Sequence, residues 1–264
     1  MNPRILFSPQ MLDEALNHAY TALAPFSDVQ RWEYHSNRVH IERITQHVAP
    51  PARILDVGCG IGILALALRE LGYTVVGIDR YIFEPGTTYS VEDIARLQEI
   101  WTTNDVVIYP LDITQGAHDL TGEVFGAIIS IAVIEHQPYP RRLLVGMKQL
   151  LQTNGVLYLV TPNSATFSNR LRFLFGRPVL GNIEEFFNDE ESFVGHWREY
   201  TFSELRYMCE TLGLIVCAGG TMETTPFRLR RSLRKNLRAL AGLCARFLPG
   251  TGNTVFVVAR MNNK

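Results

Sequence analysis

The chain has few of the features that place a protein outside the cell or in a bilayer. Its 264 residues include only four cysteines, and these show neither CxxC pairing nor a histidine at metal-binding spacing: Cys59, Cys209, Cys217 and Cys244. No apolar run approaches the roughly 18 residues that a membrane span needs, and the first residues lack the apolar stretch of a signal peptide. We therefore expect reduced thiols, no zinc site and a cytoplasmic location.

An excess of charge of either sign is also missing. Lysine and arginine number 25 against 26 aspartates and glutamates, which gives a formal net charge of −1. Such a balance provides no overall attraction to nucleic acid, so no nucleic-acid partner is expected. The sequence also contains no internal repeat and no low-complexity segment.

What is present is an alternation of strand-like and helix-like segments. Helical spacing extends from about Leu12 to Val48 and ends before Pro50 and Pro51. Short runs rich in Val and Ile follow, most of them separated by helical stretches: residues 53–57, 74–78, 106–110, 127–131 and 156–161. Strands with little polar alternation indicate a parallel sheet buried on both faces. The pattern predicts a doubly wound α/β fold.

After residue 161 the alternation stops. A long irregular stretch is predicted from Pro162 to Gly195, then a helix near 203–212, a strand near 214–218, a basic segment and a last strand at 254–259. We predict a single domain with an N-terminal helical segment (1–50), a core (51–161), an acceptor-side insertion or lid (162–200) and a C-terminal part of the sheet (201–264). Long connections inside a compact domain are often binding elements, which favours the lid interpretation.

The first predicted strand runs into the sequence ILDVGCGIG at residues 54–62. Gly58, Gly60 and Gly62 let the backbone adopt positive φ and approach a ligand closely at the carboxyl end of the strand, where doubly wound sheets bind ligands. A single tight turn would need only one glycine. Three glycines in five residues therefore indicate a ligand-binding turn.

The spacing of the turn discriminates among ligands. A dinucleotide fingerprint has its third glycine three residues after the second, but position 63 is isoleucine, which disfavours an NAD oxidoreductase. The turn also lacks the lysine and hydroxyl of a phosphate-binding loop. Asp56 would repel a pyrophosphate but suits a cationic ligand, and Asp79, at the end of the second strand, can accept both hydroxyls of a ribose. A cationic nucleoside without phosphate is S-adenosylmethionine.

Together with VVGIDR, YPLDI, IISIAVIEHQPYP and LLQTNGVLYLVTPN, this turn makes residues 32–163 resemble a class I S-adenosylmethionine-dependent methyltransferase. The similarity is greatest to the branch around the ubiquinone-biosynthesis O-methyltransferases. The resemblance implies a mostly parallel seven-stranded sheet. It also implies that the glycines contact the methionine part of the cofactor, Asp79 the ribose, and Asp112 and Ile113 the adenine. The full expected cofactor set is Arg38, Asp56, Gly58, Cys59, Gly60, Gly62, Asp79, Arg80, Asp112, Ile113 and Ile131.

Two of these assignments have a plain structural alternative. Arg38, which lies in the segment RWEYHSNRVHIERI, corresponds in the resemblance to an arginine that helps to hold the cofactor, but it could equally lie on a solvated helix face. Asp112 could be a loop aspartate that caps a turn.

Two histidines are candidate catalytic residues. His136 follows the fourth predicted strand, and His196 lies just before the helix near 203–212. Histidine is suited to remove the proton of a hydroxyl acceptor. His136 could instead only orient the acceptor or cap the loop, and His196 could be a packing residue beside Trp197.

The resemblance also bears on metals. The resemblance implies comparison with ubiquinone O-methyltransferases that hold magnesium with a Glu-x-x-Glu-His set, but the matching stretch here is AVIEH, in which Ala132 replaces the first carboxylate. One glutamate and one histidine are a weak set for a hard ion. No metal is therefore expected, and a catechol-like acceptor is less favoured.

Two further segments suggest how an acceptor is approached. The predicted insertion is rich in phenylalanine, either for an apolar acceptor pocket or for packing onto the sheet. Residues 227–248 combine an apolar stripe at helical spacing with seven basic residues: Arg228, Arg230, Arg231, Arg234, Lys235, Arg238 and Arg246. Such a helix could dock on the domain or lie peripherally on an anionic membrane, with nucleic acid or a partner protein as minor alternatives.

These features predict an S-adenosylmethionine-dependent methyltransferase that O-methylates a small or lipid-linked hydroxylated acceptor. The alternative is a protein that binds the cofactor without catalysis, as a sensor or partner subunit. An open acceptor cavity beside the cofactor's sulfonium position would favour the enzyme.

Overall fold

The computed structural model describes residues 6–26, 31–83, 89–116, 120, 122–179, 183–188, 195–225 and 248–262. Eight helices lie in these ranges: α1 (Pro9–Ala22), α2 (Arg31–His47), α3 (Ile63–Glu70), α4 (Val91–Thr103), α5 (Pro140–Leu150), α6 (Phe167–Leu174), α7 (Ile183–Asn188) and α8 (Phe202–Thr211). The predicted basic helix at 227–248 falls outside the described residues, except for Leu248.

Seven strands form a single sheet in the described part of the chain: β1 (Arg53–Val57), β2 (Thr74–Ile78), β3 (Val107–Tyr109), β4 (Phe125–Ile131), β5 (Leu151–Pro162), β6 (Leu214–Met222) and β7 (Thr254–Met261). Their order is β3-β2-β1-β4-β5-β7-β6. The first five strands are parallel, and β7 pairs antiparallel with both β5 and β6. The predicted doubly wound, mostly parallel seven-stranded sheet is confirmed.

The sheet is covered on both faces, as its apolar strands require. One face buries side chains of α1 to α4, among them Leu16 and Trp101, and the other buries side chains of α5 and α8, among them Met147 and Leu205. Polar side chains start several helices. Ser8 accepts the amide of Met11 at the start of α1, while α4 and α8 begin with capping boxes.

The connection after β5 differs from the sequence expectation. The stretch predicted to be irregular contains α6 and α7, and α6 buries none of its residues. Strands β4 and β5 also begin earlier than predicted, at Phe125 and Leu151, because these two residues pair with each other beyond a register shift. No helix in the part of the chain that the structure describes has the length and apolar character to cross a bilayer.

The topology places a crevice where the strand order reverses. Strands β1 and β4 are neighbours, but the chain leaves β1 toward β2 on one side and reaches β4 from the other. Beyond their first turn, the connections that follow them therefore diverge, through α3 to one face of the sheet and through α5 to the other. In open α/β sheets, this divergence forms the ligand site.

Candidate functional site

A cleft of about 320 Å³ opens at the carboxyl ends of β1, β2 and β4. Its size is within the range of small-molecule sites. Six of the residues predicted from the sequence line it: Gly58, Asp79, Arg80, Asp112, Ile113 and His136. The other residues of the wall are not among the predicted site residues, and they include Thr114, Ala132, Val133, Gln137 and Leu143.

The glycine turn forms the edge of the cleft next to β1. Gly58, Gly60 and Gly62 all have positive φ, at 74°, 54° and 89°. A Cβ atom on Gly58 would lie 2.3 Å from Cγ2 of Val133, so the turn and the loop after β4 approach too closely for any other residue. Gly62 is the N-cap of α3, and a Cβ there would lie 2.8 Å from Cδ1 of Ile108. The positive φ predicted for these glycines is confirmed at all three positions. The close contacts at Gly58 and Gly62 are with side chains of the protein, and contact with a ligand stays a prediction.

Two carboxylates lie behind this turn. Asp79 accepts the Gly60 amide at 2.9 Å through Oδ2 and the Ile82 amide at 3.3 Å through Oδ1, which fixes its position against the turn. Asp56 is almost fully buried, and its Oδ2 has no hydrogen-bond partner among the described residues. Burial, with the nearby charge of Asp79 as the smaller cause, raises the pKa of Asp56 to about 7.

The opposite wall contains an ion pair. Arg80 donates through Nη1 to Oδ2 of Asp112 at 3.0 Å. Oδ1 of Asp112 accepts the amide and hydroxyl of Thr114, so this side chain does cap a turn while it faces the cleft. The two interpretations of Asp112 are thus compatible.

The loop after β4 carries a second group of polar side chains. Glu135 is fully buried, and its Oε2 accepts the Thr161 hydroxyl at 2.8 Å. The rings of His136 and His196 meet edge to face, with their centroids 4.8 Å apart. One ligand-type atom from each of Glu135, His136 and His196 lies within 4.8 Å of the others. Burial raises the pKa of the Glu135 carboxyl, which its hydrogen bonds and the two imidazoles oppose.

Backbone hydrogen bonds explain why His196 reaches a loop 60 residues earlier. The carbonyl of Glu135 accepts the amides of Trp197 at 2.7 Å and Arg198 at 3.3 Å. Ser164 donates its amide to the carbonyl of Tyr200, beside a bridge between Asn163 and Tyr200. The end of the insertion is therefore attached to the sheet next to His136.

The remaining predicted residues lie elsewhere. Asp56, Cys59, Gly60 and Gly62 support the turn but are not among the described residues that line the cleft, nor is Ile131, which packs against the core. The guanidinium of Arg38 pairs with Asp13 at 2.7 Å and Glu42 at 3.0 Å, on the surface of the helical layer. The structure thus places Arg38 in an ion-pair network rather than in the wall of the cleft.

The group of Glu135, His136 and His196, here called the histidine cluster, does not fit magnesium. Ala132 stands on the loop at the position where the resemblance implies a carboxylate, and two of the three donor groups of the cluster are imidazoles. Magnesium prefers oxygen ligands in near-ideal octahedral geometry. This agrees with the sequence argument against a magnesium site, although that argument considered only residues of the loop.

Glu135, Thr161 and Glu199 were not selected from the sequence as site residues. The sequence does carry a signal for Glu135, because this residue directly precedes His136 after the fourth predicted strand. Thr161 lies at the end of the neighbouring strand β5, and Glu199 bonds Nδ1 of His196 at 3.2 Å. Only the fold brings these two to the loop.

Comparison with known proteins indicates a methyltransferase, as the sequence motifs do. The model of the family described as "Methyltransferase domain" matches residues 29–216. A ubiquinone biosynthesis O-methyltransferase of Colwellia psychrerythraea is 25% identical over 206 residues, which cover 70% of this chain and 80% of that protein. The mitochondrial enzyme of Mus musculus is 29% identical over 147 residues, which cover 54% of this chain but only 37% of the mouse protein.

Solved structures share the fold at low identity. A cyclopropane-fatty-acyl-phospholipid synthase-like protein of Lactobacillus casei superposes with a TM-score of 0.61 at 12% identity, covering 94% of this chain and 99% of its own. The magnesium protoporphyrin IX methyltransferase of Synechocystis, solved with bound S-adenosylhomocysteine, has a TM-score of 0.53 at 15% identity and 94% coverage of both chains.

The raised pKa of Asp56 predicts a specific pH dependence of stability. A carboxyl whose pKa is higher in the folded state stabilises the fold in its protonated form. This contribution is complete below about pH 4 and is lost as the pH rises through about 7. As the pH rises from 5 to 8, the free energy of unfolding of the native chain should fall by on the order of 2–4 kcal/mol relative to that of Asp56→Asn, as measured by urea unfolding. The control variant Asp105→Asn, at an exposed position, should show the same pH dependence of unfolding free energy as the native chain. A constant difference between native and Asp56→Asn would mean that Asp56 titrates normally.

Proposed function

The chain belongs to the methyltransferase family, and from this premise we propose that it methylates a hydroxyl oxygen of a small or lipid-linked acceptor. It is an S-adenosylmethionine-dependent enzyme with the fold of its class. The observation that carries the proposal is the cleft itself, which has Gly58 and Asp79 in one part of its wall and His136, whose ring meets that of His196, in another.

In this proposal the cofactor occupies the side of the cleft next to β1, β2 and β3. The carboxylate of Asp79 is fixed by two backbone amides and accepts the ribose hydroxyls with its remaining lone pairs. The adenine lies beside Asp112 and Ile113, and the methionine part lies over the Gly58 turn. Arg38 has no place in this arrangement while its ion pairs persist.

The reaction requires little covalent participation by the protein. The acceptor oxygen forms a bond to the methyl carbon as the bond from that carbon to the sulfonium sulfur breaks, which yields a methyl ether and S-adenosylhomocysteine. The hydroxyl proton passes to an imidazole of His136 or His196 and then to solvent. Alignment of the two reactants in the cleft supplies much of the rate.

A cofactor-binding protein without catalysis is the second candidate. It would have side chains filling the space beyond the methyl group. The cleft is instead open, with His136 in its wall and His196 in contact with His136. This geometry favours the enzyme.

The insertion supports a lipid-linked acceptor. Helix α6 and the residue after it expose Phe173, Leu174 and Phe175 to about three quarters of their area. Arg170 of the same helix bonds the carbonyls of Pro249 and Gly250, which directly follow the basic segment 227–248. Exposed apolar side chains on a helix that bonds the residues following a basic segment in the sequence suit the surface of an anionic bilayer. We therefore extend the proposal to peripheral binding at the inner face of a membrane.

The first test concerns the cofactor. Asp79→Ala should weaken S-adenosylmethionine binding by about 1.5–3 kcal/mol, measured by calorimetry, because it removes charge-assisted hydrogen bonds to the ribose. Asp105→Asn, at an exposed aspartate between α4 and β3 whose positive φ asparagine tolerates, should bind normally, and NAD should bind to neither variant. Native affinity in Asp79→Ala, with folding confirmed by circular dichroism, would place the ribose elsewhere.

The second test concerns the imidazoles. His136→Ala and His196→Ala should each lower kcat, at least one of them by about a hundredfold, because an acceptor hydroxyl then lacks its base. Release of S-adenosylhomocysteine is the measurement, and the exposed His18→Ala is the control. Near-native kcat in both variants, with cofactor binding intact, would point to an acceptor that needs no base.

The third test concerns the membrane. The protein should sediment with vesicles containing anionic lipid, and less so as salt rises, since each cation near the surface contributes on the order of 1 kcal/mol. Sedimentation should be lost when Arg230, Arg231, Arg234 and Lys235 become glutamine, and reduced in Phe173→Ser with Phe175→Ser. Tyr207→Ser, an exposed aromatic residue on α8, is the matched control. Absence of vesicle binding at low salt would refute the membrane surface but leave the methyltransferase assignment unaffected.

A further inference from the structure

The histidine cluster contains donor groups that are typical of a transition-metal site rather than of a magnesium site. We infer that Glu135, His136 and His196 bind one divalent transition-metal ion, with Zn²⁺ as the best match, and that the bound ion blocks the imidazoles. The sequence expectation of no metal rested on cysteine spacing and on the loop 132–136 alone. His196, from the end of the insertion, is the ligand that it did not include.

The distances fit a site that closes around an ion. The three donor atoms lie within 4.8 Å of one another. Ligands held at about 2.0–2.2 Å from a tetrahedral Zn²⁺ are about 3.4 Å apart, so closure needs movement of roughly an ångström. His196 is exposed enough to rotate, whereas Glu135 is fully buried and fixed.

The buried carboxylate provides an independent sign of a missing partner. Glu135 is bonded by Thr161 at Oε2, but Oε1 is buried and has no hydrogen-bond partner among the described residues. An unsatisfied buried carboxylate oxygen is costly, because it has lost its water without a replacement. A cation at the cluster would satisfy it.

The surroundings of His196 match those of metal-bound histidines. Its Nδ1 lies 3.2 Å from Oε1 of Glu199. In the tautomer in which Nδ1 donates to this carboxylate, Nε2 carries the lone pair that a metal needs. Metal-ligating histidines commonly donate their second N–H to a carboxylate in this way. The hydrogen bonds from Trp197 and Arg198 to the Glu135 carbonyl hold the ligands together before any ion arrives.

The donor set selects the class of ion. Two imidazole nitrogens and one carboxylate oxygen form a common set for zinc and for other first-row transition ions, and these sites keep an open coordination position. His136 lines the cleft, so the open position of this site would adjoin the acceptor space.

Occupancy would have a chemical consequence that rests on the proposed function. A lone pair shared with a metal ion cannot accept a proton. A bound Zn²⁺ would therefore remove the imidazole base, and the metal-free protein would be the active form. Transition-metal ions then inhibit this enzyme, and a chelator does not.

The test begins with Zn²⁺ alone and no acceptor. Calorimetry on the full chain should show one equivalent of Zn²⁺ bound at micromolar concentration or tighter, and no binding of Mg²⁺ at millimolar concentration. His196→Ala and Glu135→Gln should each weaken Zn²⁺ binding by at least about thirtyfold. The exposed His18→Ala should bind as the native chain does. His196→Ala keeps the test valid if the buried Glu135→Gln fails to fold. Native-like Zn²⁺ binding in His196→Ala, or no binding by the native chain, would overturn the site.

A turnover measurement separates this inference from the proposed function. Saturating Zn²⁺ should lower S-adenosylhomocysteine release by at least about tenfold, and a chelator should restore it without lowering the turnover of the untreated enzyme. Zinc that binds without inhibition would overturn the blocking role. Failure of the metal-free protein to turn over any hydroxylated acceptor would count against the proposed function alone, because zinc binding is measured independently.

Discussion

The site depends on one close approach between the backbone of the turn after β1 and a side chain of the loop after β4. A Cβ on Gly58 would overlap Cγ2 of Val133. Both Gly58 and Val133 line the cleft, together with Asp79 and His136. A larger residue at position 58 would also need to adopt positive φ. Packing and backbone geometry thus both require glycine.

The two halves of the site each contain a buried carboxylate, and they differ in the groups that surround it. Asp56 and Asp79 end neighbouring parallel strands, and the burial of Asp56 raises its pKa into the neutral range. Glu135 is equally buried but lies beside two imidazoles instead of a second carboxylate. One half therefore holds two carboxylates behind the glycine turn. The other holds groups that can take up a proton or bind a cation, and both roles use the same imidazole lone pairs.

The sequence was a good guide wherever the deciding interactions are local. Strands β1 and β2 begin and end as predicted, because their apolar runs are bounded by glycine and aspartate. The insertion was less predictable. Helix α6 buries none of its residues and exposes Leu171, Phe173 and Leu174, so its sequence shows no buried face. The pattern therefore predicts an irregular stretch where two short helices form. The resemblance assigns Arg38 to the cofactor, but it gives no sign of the ion pair that Arg38 forms with Asp13, 25 residues earlier in the sequence.

The sequence by itself determined the fold class, the glycine turn and the residues that end each parallel strand. Those features arise from periodicity and from backbone angles, which are properties of a few consecutive residues. Only the tertiary structure decided that His196 meets His136, that the buried Glu135 lies near both and that Glu199 bonds His196. These contacts join segments some 60 residues apart through two backbone hydrogen bonds to one carbonyl. No local pattern specifies such a pairing, because it exists only after the sheet has formed and the end of the insertion has packed against it.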